Sequence, residues 1–425
     1  MPKLRTPTAL LLSALLAGAA QAAPPSAPAA PLAKPSIAWP ADDPALGERD
    51  WREANDTVGR FERGHIDLLR WEAANLPEAA EATDTRPLLT AGAAVRAAFS
   101  QRPALFASSG MNALERALAD VAAVELAREV QQAWVSAVAA QAALRHAERE
   151  FEAASVADEL AARMTAAGNW GRDRLVGKRL DLADAAIALV QARHAAFAAR
   201  EALVRASGLA GEAAEFSLPS ELATLPETLQ TANEIETAAL QAHPLLSVLT
   251  AEAERADSAL SQGDRKRWES AAEAALPDAG NTALPTAAPF IDLRRTPLSH
   301  DVQRAVRSRA DAALLRVRVA SQAREAWHGY AAAHEVASVL TGRVLPLAAE
   351  REDDMLLRYN GMLKSTWDLI DATRERVAAE TAALEATRDF WLAHINLQAV
   401  LAGAEHVGGG SGVARNTRGG AAGGH

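Results

Sequence analysis

The chain has 425 residues, no cysteine and a formal net charge of −10. The missing cysteines remove disulfides, thiol catalysis and thiolate metal sites, and the acidic balance argues against nucleic acid as a partner. Aromatic residues make up only 4% of the chain, a thin supply for a bulky enzyme core; the Ala-rich remainder, with Leu, Glu and Arg, suits close-packed helices.

Lys3 and Arg5 precede an apolar run from Thr8 to Ala20, and Ala20-Gln21-Ala22 places small residues at a cleavage position. Residues 1–22 therefore read as a secretory signal peptide. The run is shorter than a membrane-spanning helix needs, and no other run in the sequence is long enough, so insertion elsewhere would require β-strands. Residues 23–87 read as a Pro/Ala-rich lead-in followed by short helices, with Trp51, Phe61, Leu68, Leu69 and Trp71 as packing residues.

Residues 88–209 form a first helical repeat. A short amphipathic helix over Leu89–Phe99 ends at Arg102-Pro103. From Met111 to Met164 no Pro or Gly interrupts the chain, and Val124, Val130, Trp134, Val138, Leu144 and Phe151 recur at helical intervals. Gly168 and Gly171 break this helix, Asp173 offers a cap for the next one, and Gly208 ends it. Residues 210–233 are a connector spaced by Pro219 and Pro226.

Residues 234–403 repeat the plan. The sequence predicts a helix over Glu234–Ala275, weakened at Gly263. Residues 277–297 carry four prolines and the short apolar run Ala288–Leu293. A long helix over Asp301–Leu357 is expected to kink at Pro346. Asn360-Gly361 is expected to form the turn, since both residues tolerate left-handed backbone angles. Thr366 or Asp368 would start a return helix that runs to Leu401 and ends at Gly403. Phe390 and Trp391 read as core residues. The Gly-rich tail, 404–425, has the composition of a disordered segment.

No H-E-x-x-H motif, Gly-rich phosphate loop or serine elbow occurs, and the ten histidines are scattered. The chain is expected not to be an enzyme and to have no catalytic residue, cofactor or metal site.

The stretch Arg358-Tyr-Asn-Gly-Met-Leu-Lys-Ser-Thr-Trp-Asp-Leu-Ile-Asp-Ala372 resembles the hairpin tip of TolC-like outer membrane efflux proteins, with Tyr359, Gly361, Asp368, Leu369, Asp371 and Ala372 matching. Ala167, Gly168, Asp173 and Leu175 resemble the paired tip in the first half, and Leu345-Pro346-Leu347 also looks like the family. The resemblance implies a mainly α fold, with long antiparallel helical hairpins in two repeated halves serving as arms of an α-barrel. It also implies a homotrimer, a periplasmic adaptor that meets the tips, and an inner-membrane pump. A membrane β-strand needs about 9–11 alternating residues. Leu88–Gly110 and 277–297 leave little room for strand pairs, so the β-barrel part is expected to be reduced or absent.

Two readings stand for the tip carboxylates Asp173, Asp368 and Asp371: helix capping, or a cation-selecting constriction implied by the resemblance. Gly168, Arg358, Asn360, Gly361, Leu363 and Lys364 are the candidate adaptor-contact residues. Leu357, Leu363, Trp367, Leu369 and Ile370 would either fill the hairpin core or form a docking surface. The expected function is an outer-membrane or periplasmic channel component of a tripartite efflux system, passively conducting small solutes or metal ions. The alternative is a periplasmic helical scaffold that kept the hairpins and lost the pore.

Overall fold

A computed structural model of the protein describes residues 86–106, 109–275 and 299–407. They all belong to one compact unit, Pro40–His425. The proposed signal peptide, the short helices before residue 85, the apolar run 288–293 and the tail from residue 408 lie outside the described residues.

The fold is mainly α. A short helix, α1 (Ala91–Ser100), leads into α2 (Ala113–Ala166), which returns as α3 (Arg172–Ser207). After the connector come α4 (Ala232–Ala242), α5 (Pro244–Ser258) and α6 (Gln262–Ala275). The second half then repeats the hairpin: α7 (His300–Val339), a π-helical turn over Leu340–Val344, α8 (Leu345–Asn360) and the return helix α9 (Thr366–Leu401). With 54 residues, α2 alone runs ~80 Å at 1.5 Å per residue. The two hairpins lie side by side: α2 packs on α3 and on α9, and α9 packs on α7 and α8. This leaves α3 and the α7–α8 arm as the outer helices. Among the described residues the β-type pairing is one isolated parallel bridge, Leu88 to Ser217, and no helix is long and apolar enough to cross a membrane.

Local chemistry sets the boundaries. Asn112 and Glu115 form a reciprocal capping box that starts α2, and Thr231 with Glu234 does the same for α4. Gly208 ends α3 with a left-handed φ of 69°. The helix expected over Glu234–Ala275 is instead three helices. Pro244 supplies no backbone N–H and opens α5, while the buried His243 caps it by accepting from Leu246 N–H at 3.3 Å. A second break falls at Leu260–Ser261, and Gly263 lies inside α6. At Pro346 the chain does not end its helix. The preceding turn widens, so that Leu345 N–H donates to Leu340. That bulge absorbs the missing donor and the ring's clash with the turn before it.

The core is thickest away from the tips. One cluster joins α4, α7 and α9 around Ile235, Ala323, Tyr330, Phe390 and Leu397. The other joins α1, α2, α3 and the connector around Ala94, Val130, Val138, Leu203 and Phe216. Alanines recur in both, which lets helix axes approach closely. The Pro-spaced connector has little backbone structure of its own, so side chains from the hairpins hold it. Trp391 donates to Ala223 O at 2.9 Å, Trp327 donates to Gln230 O at 2.8 Å, and His334 lies 2.9 Å from Pro226 O. Toward the tips the apolar core shrinks to Ala154, Leu182, Ala185 and Phe151. Ion pairs take over there: Arg374 binds Glu150 at 2.7 Å, Arg149 binds Glu380, and Arg376 bridges Glu380 and Glu352 at 3.1 and 2.7 Å.

Burial makes His146, His243 and His394 harder to protonate than free histidine. Unfolding restores the ordinary value near 6.5. The unfolded chain therefore binds more protons as the pH falls below about 6.5, and stability declines there. The urea midpoint is expected to fall between pH 7.5 and 5.5. His243→Asn, which keeps a cap acceptor without the titration, should flatten that slope. An unchanged slope would remove His243 from the account.

Candidate functional site: the hairpin tips

Both tips end their first helix in the same way. After α2, Asn169 N–H donates to Met164 O and Gly168 N–H to Thr165 O, at 2.9 and 3.0 Å, with Gly168 at φ 78°. After α8, Leu363 N–H donates to Arg358 O and Met362 N–H to Tyr359 O, both at 2.9 Å. These are paired Schellman motifs. The left-handed residue of the second tip is Met362, at φ 56°. The expectation for Asn360 and Gly361 is corrected here: Asn360 is the last residue of α8, and Gly361 has an ordinary φ of −79°. A non-glycine residue in this region costs roughly 1–2 kcal/mol. Met362→Gly is therefore expected to raise stability by up to about 1 kcal/mol, after the glycine's own entropy cost, as read from urea unfolding. A loss of more than about 1 kcal/mol would contradict the assignment of strain.

The return helix starts at Thr366, one of the two expected starts, with Ser365 as its N-cap. Ser365 Oγ accepts from Asp368 N–H, and the Asp368 carboxylate accepts from Ser365 N–H at 2.9 Å and from its hydroxyl at 2.8 Å. The Ser365 backbone amide, then its hydroxyl, holds the Asp368 carboxyl below the usual range, with Lys364 at 3.5 Å adding to it. Asp368 is thus a capping residue of α9. Asp173 does not cap α3: Gly171 occupies that position without a side-chain bond, and Asp173 sits exposed in the first turn. Arg358 pairs with Asp354 on its own helix at 2.9 Å and not with the tip aspartates.

The two tips meet through a contact absent from the sequence expectations. Trp170 and Trp367 stack with ring centroids 4.4 Å apart and 21° between planes. Arg174 lies over Trp170 and Lys178 over Trp367, at 5.5 and 5.7 Å from the ring centroids. With Asp181 and Asp371 these residues line a groove of about 450 Å³. Of the three candidate carboxylates, Asp371 lines this groove; Asp173 and Asp368 do not. The available signal was a tryptophan beside each turn, but their pairing depends on how the hairpins are set against each other.

Apolar side chains crowd the apex of the second tip. Met362 is 94% exposed, Leu363 77% and Leu357 70%. The hairpin-core reading is therefore overturned for Leu357 and Leu363, while Trp367, Leu369 and Ile370 are half-buried. Among the described residues no cluster of three or more His, Asp or Glu side chains could hold a metal.

No family model matches the chain, and no curated protein matches it. Solved structures do. A membrane protein from Pseudomonas aeruginosa is 18% identical, with a TM-score of 0.46 over 74% of this chain and 72% of that one. The outer membrane protein VceC of Vibrio cholerae is 14% identical, with a TM-score of 0.45 over 74% and 75%. The Neisseria gonorrhoeae MtrE outer membrane channel is 19% identical, with a TM-score of 0.40 over 74% and 72%. In its second-tip residues and in its class of architecture the chain is similar to TolC-like outer membrane efflux proteins. At these identities and scores the likeness is distant.

Proposed function

We propose that the chain is an arm-forming subunit of a homotrimeric conduit in an efflux assembly, set in the outer membrane and facing the periplasm, with its tips against a periplasmic adaptor that joins it to an inner-membrane pump. In this reading the signal peptide (1–22) and lead-in (23–87) precede two hairpin repeats (88–209 and 234–403), joined by the connector (210–233). Conduction is passive, and small solutes or metal ions are the cargo.

The observation that carries the reading is a matched pair of apolar stripes on the two outer arms. On α3, Val176, Leu180, Ile187, Val190 and Phe197 are exposed. On the α7–α8 arm, Val336, Val339, Val344 and Leu347 are exposed. Counted from the tips, Ile187 and Val344 fall at similar heights, as do Phe197 and Val336. Exposed stripes of this kind mark contacts. Two different complementary edges form a heterologous interface, which closes into a ring when copies repeat side by side. Asp173 and Asp371, with Asp368 at the cap, would then repeat around the axis and favour cations. Gly168, Arg358, Asn360, Gly361, Leu363 and Lys364 would lie at or beside the adaptor contact, with Met362 added.

A second reading, a periplasmic scaffold without a pore, is favoured by one feature. Between α1 and α2, where the resemblance calls for a strand pair, residues 103–106 form a 3₁₀ turn. Membrane fractionation with planar-bilayer conductance separates the two. The channel reading expects a detergent-extracted trimer that conducts, with Asp371→Asn lowering cation selectivity. A soluble periplasmic protein without conductance would leave the scaffold.

A further inference from the structure

Far from the tips, the start of α1, the middle of α2, the connector and the end of α9 enclose a pocket of about 300 Å³. That is the lower end of the range for small-molecule sites. Its wall includes Trp134 and Trp391, whose indole N–H groups are already committed to Leu89 O and Ala223 O at 2.8 and 2.9 Å. Both rings are fixed by these bonds and offer the pocket apolar aromatic surface. No Asp, Glu, Lys or Arg lines it; the polar groups are the amides of Gln131 and Gln398 and the imidazole of His394.

His394 fixes the polarity of the site. Its Nδ1 is shut off from solvent and has no hydrogen-bond partner. The ring is flanked by Tyr330 and Trp391, with centroids 5.5 and 5.4 Å away. A buried N–H without an acceptor is rarer than an undersatisfied acceptor, so the proton belongs on Nε2. Burial also disfavours the charged ring. His394 is then a neutral imidazole with one N–H donor on its other nitrogen.

We propose that this pocket binds a small, uncharged, planar ring compound carrying a hydrogen-bond acceptor, stacked on Trp134 and Trp391 and held by His394 and the Gln131 and Gln398 amides. Charge is disfavoured because the wall offers no counterion to offset its desolvation. A flat shape is favoured because aromatic walls gain most from ring contact. The site is separate from the tips and does not depend on conduction.

The test is calorimetric titration of the full chain with coumarin, two fused rings bearing a carbonyl acceptor. Naphthalene (no acceptor) and 2-naphthoate (charged) serve as comparisons. The expected result is saturable 1:1 binding of coumarin, at least fivefold weaker binding of naphthalene and none of naphthoate. Ala223→Leu fills the pocket from an exposed wall position and keeps the backbone carbonyl that Trp391 uses; it should weaken coumarin at least tenfold with unchanged circular dichroism. His394→Phe keeps the ring and removes one of the donors, so coumarin binding should weaken toward that of naphthalene. Absence of saturable coumarin binding, equal binding to Ala223→Leu, or equal binding of coumarin and naphthalene to the unmodified chain would each overturn the proposal.

Discussion

Replacing Phe390 with alanine is expected to destabilise the protein by about 3–5 kcal/mol, the usual cost of emptying a fully buried aromatic site. Phe390 has no exposed surface. Its ring lies 5.2 Å from Tyr330, 5.5 Å from His334 and 5.1 Å from Trp391. The residue joins α9 to α7 where the core cluster of α4, α7 and α9 is richest, and its neighbours His334 and Trp391 also pin the connector. The cavity would therefore loosen two attachments at once. Because the surrounding helices are held elsewhere by alanine contacts, they have little freedom to collapse into the space. Urea unfolding followed by near-ultraviolet circular dichroism gives the number. A loss below about 1 kcal/mol, typical of a surface change, would show that this aromatic cluster does not anchor the second hairpin.

The second large effect concerns assembly. In the proposed trimer, Leu180→Glu combined with Ile187→Glu is expected to give monomers while leaving helicity unchanged. Both side chains are exposed in the isolated chain, so the substitutions leave the fold's own core alone. In a side-by-side ring each would place a carboxylate in an apolar seam. Burying an unpaired charge costs several kcal/mol even after relaxation, and every interface of the ring carries both changes. Mass measurement in detergent decides: an oligomer of unchanged size would exclude the α3 stripe from the interface.

Much of the architecture was legible because long helices advertise themselves. The uninterrupted run before Gly168 and the terminators Gly208 and Gly403 left little choice for α2, α3 and α9. Gly208 and Gly403 take the left-handed angles their positions require, at φ 69° and 101°. The errors fell where two local signals competed. Asn360-Gly361 is a strong turn pair by composition, yet the left-handed residue is Met362. The deciding signal was Ser365-Thr-Trp-Asp368, a capping box that places the helix start and thereby the turn register. Pro244 was equally visible, and it splits the helix expected over Glu234–Ala275 because a helix interior tolerates Pro badly. The π turn before Pro346 is a subtler outcome, since the sequence marks the obstacle but not how the backbone passes it.

At the tips the sequence identified the neighbourhood and left two readings, capping or constriction, for its carboxylates. Asp368 is bound into the cap of α9, while Asp371 reaches the groove between the hairpins. Trp170 and Trp367 are more than 190 residues apart in the chain, and nothing local says that they stack. The exposure of Leu357 and Leu363 was equally beyond periodicity, because a hairpin apex has no opposite wall to cover its apolar side chains. That exposure and the strained, solvent-facing Met362 make the second tip the stronger docking candidate.

In the proposed ring the α3 and α7–α8 edges of neighbouring copies meet. The natural absence of cysteine makes this directly measurable. Ile187→Cys and Val344→Cys, introduced together and oxidised in the membrane-extracted protein, should give a covalent ladder that ends at a closed trimer, while either single variant gives none. A double variant that stays monomeric and uncrosslinked under the same oxidation would contradict the account.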